Sequence, residues 1–161
     1  MCETDAGVIL DECANIETLF LSEMPYKKWV EQLSKDLSEK RFRHVINVTR
    51  TAIVLSRRYG GDEEKIKKAA LLHDCAKKNE KKYFELLLKH KLINEDKWKP
   101  SPVFHAYVGA KVAKYFYGIN DEDVLSAIEC HTTGKEGMTL TEKIIYLADM
   151  IEPHRDFDGV D

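Results

Sequence analysis

Six side chains that can hold a cation stand on or beside apolar helical stripes: His44, His73, Asp74, His105, His131 and Asp149. His44 shares its stripe with Val48 and Leu55, and His73 shares one with Ile66, Ala69 and Ala70. His105 runs with Val108 and Val112, His131 with Val124, Ala127 and Ile128, and Asp149 is flanked by Ile145, Tyr146, Leu147 and Ala148. Taken singly, a histidine on an apolar face is more often a hydrogen-bonded core residue than a ligand. Taken together they strain that explanation, because burying several imidazoles and two carboxylates costs several kcal/mol each unless charge and hydrogen bonding are satisfied. One or two divalent cations would satisfy all of them at once. Imidazole nitrogen with carboxylate oxygen suits iron, manganese, cobalt or zinc, and the lack of a convergent thiolate argues against a closed structural zinc site.

These residues need helices to position them. A helix is expected from Pro25 through Leu37, with Trp29, Leu33 and Leu37 at four-residue spacing. A long one follows from about Glu39 to Tyr59 and stops at Gly60-Gly61. Asp62 can cap the next, whose stripe Ile66, Ala69, Ala70, His73 and Lys77 follows a period of about 3.6 residues. Asn79 can cap a helix carrying Tyr83, Phe84, Leu87 and Leu88, and Asn94 to Pro102 reads as a loop. Phe104 to Tyr117 is then helical up to Gly118, and Asp121 can cap Glu122 to His131. Thr139-Leu140-Thr141-Glu142 is a capping box that opens a last helix halted by Pro153. No alternating segment of strand length competes, so the expected fold is all-α, a single helical bundle around one core.

The chain has 161 residues, 43% of them hydrophobic, enough for one domain and too few for two ordinary ones. We assign residues 1–23 to an N-terminal extension without a function and 24–161 to the domain; the chain ends without a visible cap or closing helix, which leaves room for a further C-terminal segment. A net charge of -3 and no basic block interleaved with aromatics exclude polynucleotide as the expected partner. The apolar run Ile144 to Ile151 is interrupted by Asp149 and falls short of the roughly 20 residues that span a bilayer. No export signal opens the chain, so the cytoplasm is the expected location. Cys2, Cys13, Cys75 and Cys130 form no CxxC pair and are expected to be reduced.

The order His44, His73-Asp74, His105, His131, Asp149, spread over roughly Arg41 to Arg155, resembles the HD superfamily of metal-dependent phosphohydrolases. Four strings make the resemblance specific: Arg43-His44-Val45, Ala70-Leu71-Leu72-His73-Asp74-Cys75-Ala76-Lys77, His131-Thr132-Thr133-Gly134 and Tyr146-Leu147-Ala148-Asp149-Met150-Ile151-Glu152-Pro153. Within the superfamily they look like the symmetrical bis(5'-nucleosyl)-tetraphosphatases, which hydrolyse diadenosine tetraphosphate to two ADP.

The resemblance implies an HD-domain helical bundle with two divalent ions. His44, His73, Asp74 and Asp149 would hold the first, and Asp74 would bridge to a second held by His105 and His131. Iron is the metal the resemblance suggests, with manganese, cobalt and zinc as alternatives. Two metals about 3.5 to 4 Å apart bind a shared hydroxide, the expected nucleophile, and neutralise charge on the attacked phosphate. Lys77, four residues after His73, is expected one turn further along the same helix face, where its ammonium meets a phosphate oxygen. Thr132, Thr133, Lys135 and Arg155 are further candidate substrate contacts, whereas His90 and His154 are expected to bind no metal. Two other readings stay open: an HD-type nucleotidase or phosphodiesterase acting on another nucleotide, and a non-catalytic nucleotide-sensing module. Oligomeric state is also open, with a homodimer as one assembly.

Overall fold

A computed structural model of the chain describes residues 23–94, 101 and 103–152. Among them are seven helices and no strand: α1 (Tyr26–Asp36), α2 (Glu39–Tyr59), α3 (Glu63–Leu72), α4 (Glu80–Lys89), α5 (Phe104–Phe116), α6 (Glu122–Glu129) and α7 (Leu140–Ile151). The all-α expectation holds. No helix of the described residues is long and apolar enough to cross a membrane.

Helix starts follow local chemistry. Ser38 accepts from the Arg41 amide, Asp62 from Glu64 and Lys65, and Asp121 from Asp123 and Val124, each satisfying donors that the first helical turn leaves open. The Thr139 and Glu142 side chains exchange bonds with each other's backbone, as the capping-box pattern predicts. Asn79 departs from expectation. It precedes α4 but its side chain caps nothing; Nδ2 instead donates to the Asp36 carbonyl at 2.8 Å, tying α4 to the end of α1.

The apolar stripes converge. Leu33, Ile53, Ile66, Leu71, Leu72, Leu87, Ile128 and Ile145 are fully buried in one core. Helix α2 packs on α3 and α7, α3 also packs on α6, and α6 sits between α5 and α7. Burying each such aliphatic side chain contributes about 1.5–3 kcal/mol of transfer free energy. The five helices that carry predicted ligands or precede them, α2, α3, α5, α6 and α7, thus belong to one packed body.

Two helices end sooner than their periodicity suggests. The stripe through His73 and Lys77 predicts one continuous helix, yet α3 stops at Leu72 and residues 73–78 form tight turns, with Cys75, Lys77 and Asn79 amides bonding to Leu72, Asp74 and Ala76 carbonyls. The His73 ring explains the break: its Nδ1 lies 2.6 Å from the Ala70 carbonyl, the group that the Asp74 amide would need in a continued helix. Helix α6 ends at Glu129 rather than His131 by the same device, because His131 Nδ1 lies 2.6 Å from the Ile128 carbonyl. Gly134, at φ +67, then closes that turn in a conformation that disfavours other residues.

Candidate metal centre

Each predicted ligand within the described residues sits at a helix end, in the turn behind one, or on a long helix facing those turns. His44 projects from α2, Asp149 from α7 and His105 from the first turn of α5, while His73-Asp74 and His131 occupy the turns behind α3 and α6. His73, Asp74, His105 and His131 are at most 4% exposed. The structure brings all six together.

Asp74 is the hub. Its Oδ1 lies 3.3 Å from His105 Nε2 and 3.4 Å from His131 Nε2, while Oδ2 lies 3.5 Å from His73 Nε2 and 3.8 Å from His44 Nε2. Asp149 Oδ1 faces the second group, 2.9 Å from His44 Nε2 and 3.6 Å from His73 Nε2. The two carboxylate oxygens of Asp74 thus address two different sets of imidazoles. His105 and His131 point Nε2 at Nε2 across 3.3 Å.

Backbone carbonyls select the tautomers of two rings. A carbonyl can only accept, so the bonds to Ala70 and Ile128 place a proton on Nδ1 of His73 and His131 and turn Nε2 toward the cluster. His73 Nε2 is buried and has no hydrogen-bond partner, since carboxylate oxygens at 3.5 and 3.6 Å are too distant. An orphaned buried nitrogen aimed at two carboxylates is what a cation site leaves when only the protein is considered. Ligand atoms of His44, His73 and Asp149 all lie within 4.8 Å of one another, as do those of His73, Asp74 and His131. The donor set fits divalent metal.

The electrostatics agree. Burial would push His73 down, but Asp74 and Asp149 outweigh it and hold the ring's pKa up to about 9. Burial would likewise raise Asp74 and Asp149; the surrounding histidines hold both well below the usual carboxylate range. His131 is depressed by its burial, which favours the neutral, ligating form.

Lys77 reaches the centre by a route other than the one expected. It lies in the turns behind α3, not on a continued helix face, and its Nζ is 3.3 Å from His105 Nδ1. Its pKa is lowered, first by burial. Thr132 follows His131 with a buried hydroxyl that has no partner, Thr133 Oγ1 donates to the Gly134 carbonyl, and Lys135 Nζ pairs with Glu142 at 3.0 Å. Arg155 and His154 lie outside the described residues. His90 is exposed at the end of α4.

Two residues escaped the sequence reading. Arg41 Nη1 lies 3.0 Å from Asp74 Oδ2, and Glu152 Oε2 lies 3.4 Å from His44 Nδ1 on the side away from the cluster. Each stands three residues from a predicted ligand, Arg41 before His44 and Glu152 after Asp149, so the signal was the one-turn helical spacing. Cys75 and Cys130 are free, buried thiols; burial pushes both pKa values up, that of Cys130 to about 12. Cys2 and Cys13 lie outside the described residues.

The HD domain family matches residues 41–153. The chain is 44% identical over 135 residues to the symmetrical bis(5'-nucleosyl)-tetraphosphatase of Halalkalibacterium halodurans, covering 83% of this chain and 72% of that protein. It is 43% identical over 133 residues to the enzyme of the same name from Staphylococcus aureus, covering 81% and 69%. A crystal structure from Clostridium acetobutylicum, described as a predicted HD superfamily hydrolase involved in NAD metabolism, superposes with a TM-score of 0.69 at 40% identity, over 87% of this chain and 75% of that one.

Proposed function

The chain belongs to the HD-domain family, and from that premise we propose that it hydrolyses dinucleoside polyphosphates symmetrically, converting diadenosine tetraphosphate and water to two ADP. The observation that carries the dinuclear part of this reading is the split of Asp74, whose two oxygens face separate imidazole sets. His44, His73, Asp74 and Asp149 would hold one ion, and Asp74, His105 and His131 the other; iron is the proposed metal. Bound there, divalent ions would supply Lewis acidity, acidifying water and neutralising charge on an attacked phosphate.

The chain's own residues do the positioning. Glu152 fixes the His44 ring from behind through Nδ1. Arg41 shares Asp74 Oδ2 and is 31% exposed at its side chain, so it can exchange that carboxylate for a phosphate oxygen without leaving the centre. Lys77 is a donor only, and while it donates to His105 Nδ1 a neutral ring must carry its proton on Nε2. Ligation through His105 Nε2 therefore requires Lys77 to release Nδ1, which frees the ammonium for an anion. Thr132 brings an unpartnered hydroxyl beside His131, and Arg155 is retained as a substrate contact. We read residues 24–161 as one domain with 1–23 as an extension, located in the cytoplasm.

Product analysis tests the reading. Protein loaded with iron or manganese should convert diadenosine tetraphosphate to ADP alone. Formation of ATP and AMP would overturn the symmetrical assignment, and turnover confined to mononucleotides or cyclic nucleotides would replace it with another HD-type activity.

A further inference from the structure

Between the start of α5, the end of α6 and the turn that follows His131 lies a cavity of about 370 Å³. This falls within the size range of small-molecule sites. Thr132 in its lining directly follows the candidate ligand His131. The cavity also borders Glu142 through Ser126, Cys130 and Lys135, and Glu142 precedes Asp149 by two turns of α7, about 10 Å along the same face.

Its charges decide what it can take. Lys135, the cation in its wall, is already committed: Nζ lies 3.0 Å from Glu142 Oε2 and donates to Ser126 Oγ at 2.7 Å. Glu142 is 2% exposed and also accepts from Ser126 and from the Cys130 thiol, so it neutralises the lysine and anchors the turn carrying His131 and Thr132. Glu129 adds a carboxylate to the lining. With one lysine neutralised and an acid added, the cavity disfavours phosphate and suits a neutral group.

The remaining lining describes that group. Tyr107 offers an aromatic ring and Val103 an apolar contact, while the partnerless Thr132 hydroxyl and the Glu129 carboxylate offer hydrogen bonds to a planar heterocycle carrying an amine. We infer that this cavity binds one nucleoside of the substrate, with its base against Tyr107 and its phosphate chain leaving past Thr132 toward Asp74. The inference rests on the dinucleotide reading above, and assigns Lys135 to the wall of a nucleoside site instead of to the phosphates.

The test uses metal-loaded protein and two ligands measured by equilibrium titration: a diadenosine tetraphosphate analogue with a methylene between the second and third phosphates, and inorganic tetraphosphate. Tyr107→Ala, and Val103→Trp at a position 43% exposed, should each weaken the analogue about tenfold or more, the loss expected for removing or blocking one base–aromatic stack. Neither should change the affinity for tetraphosphate, and Tyr107→Phe should bind both like the parent protein. Thermal melting identifies a variant that fails to fold, and the surface change Val103→Trp then carries the test. Unchanged affinity for the analogue, or parallel loss for both ligands, overturns the nucleoside site. Turnover by the parent protein separates the two ideas. Cleavage with unaffected variants removes the cavity alone, whereas selective loss of analogue binding without any cleavage removes the reaction and leaves the cavity.

Discussion

The Ala70 carbonyl lies 2.6 Å from Nδ1 of His73, and this one contact both ends α3 and turns Nε2 of the ring, buried and unpartnered, into the cluster of carboxylates. Fold termination and ligand orientation are the same event here. His131 repeats it against Ile128 at the end of α6.

Metal content should approach two per chain, because Asp74 divides its oxygens between two imidazole sets. Asp74→Ala should drop the content below one, while His131→Ala should leave about one. Elemental analysis after reconstitution with iron or manganese checks this. A parent protein that never exceeds one metal per chain refutes the bridging role of Asp74.

Metal affinity should rise with pH. In the metal-free protein the His73 pKa is held up to about 9, so at pH 7 the ring carries a proton that metal must displace. Below that value each unit of pH should strengthen apparent affinity by about tenfold from this group alone, and the gain should level off above it. Calorimetric titration in buffers of different ionisation enthalpy would count the released proton. An affinity flat between pH 7 and 9 would show that His73 binds metal without losing one.

Lys77→Ala should retain metal and lose about a hundredfold in kcat if the freed ammonium stabilises phosphate charge in the transition state. Its contact with His105 Nδ1 provides a second readout, since metal affinity should hold or rise once the competing donor is removed. Unchanged kcat and KM would return the residue to a surface role.

Acid should weaken the fold through Glu142. Burial would raise its pKa, but the Lys135, Cys130 and Thr139 bonds lower it from 4.5 to about 2. A folded-state pKa below the unfolded one gives stability that is complete above pH 4.5 and disappears as pH falls through about 2. Melting temperature followed over that window should fall more steeply for the parent than for Glu142→Gln, which cannot titrate. Parallel curves would mean that the carboxylate contributes no linkage.

A single turnover of diadenosine tetraphosphate in heavy-oxygen water should label one of the two ADP molecules, on its terminal phosphate, because water attacks one side of the broken bond. Mass spectrometry of the products decides it. Label in AMP or ATP would mean that another phosphate is seated at the centre.

The six predicted ligands, the all-α class and the main caps were legible in the chain because they depend on local rules: apolar periodicity, Asp or Thr before a helix, and histidines placed where the pattern asks for hydrophobes. Lys77 shows where those rules end. Periodicity carried its helix through residue 77, but the His73 ring captures a carbonyl at residue 70, and a side chain competing for backbone leaves no trace in a hydrophobic pattern. Arg41 and Glu152 were hidden for a related reason, as charged residues one turn from a ligand look like any solvated helix surface. Which oxygen of Asp74 faces which histidine, and whether Lys135 is free or already neutralised by Glu142, depended on how α3, α5, α6 and α7 pack; those pairings join residues far apart in sequence, and only burial in a shared core sets their distances.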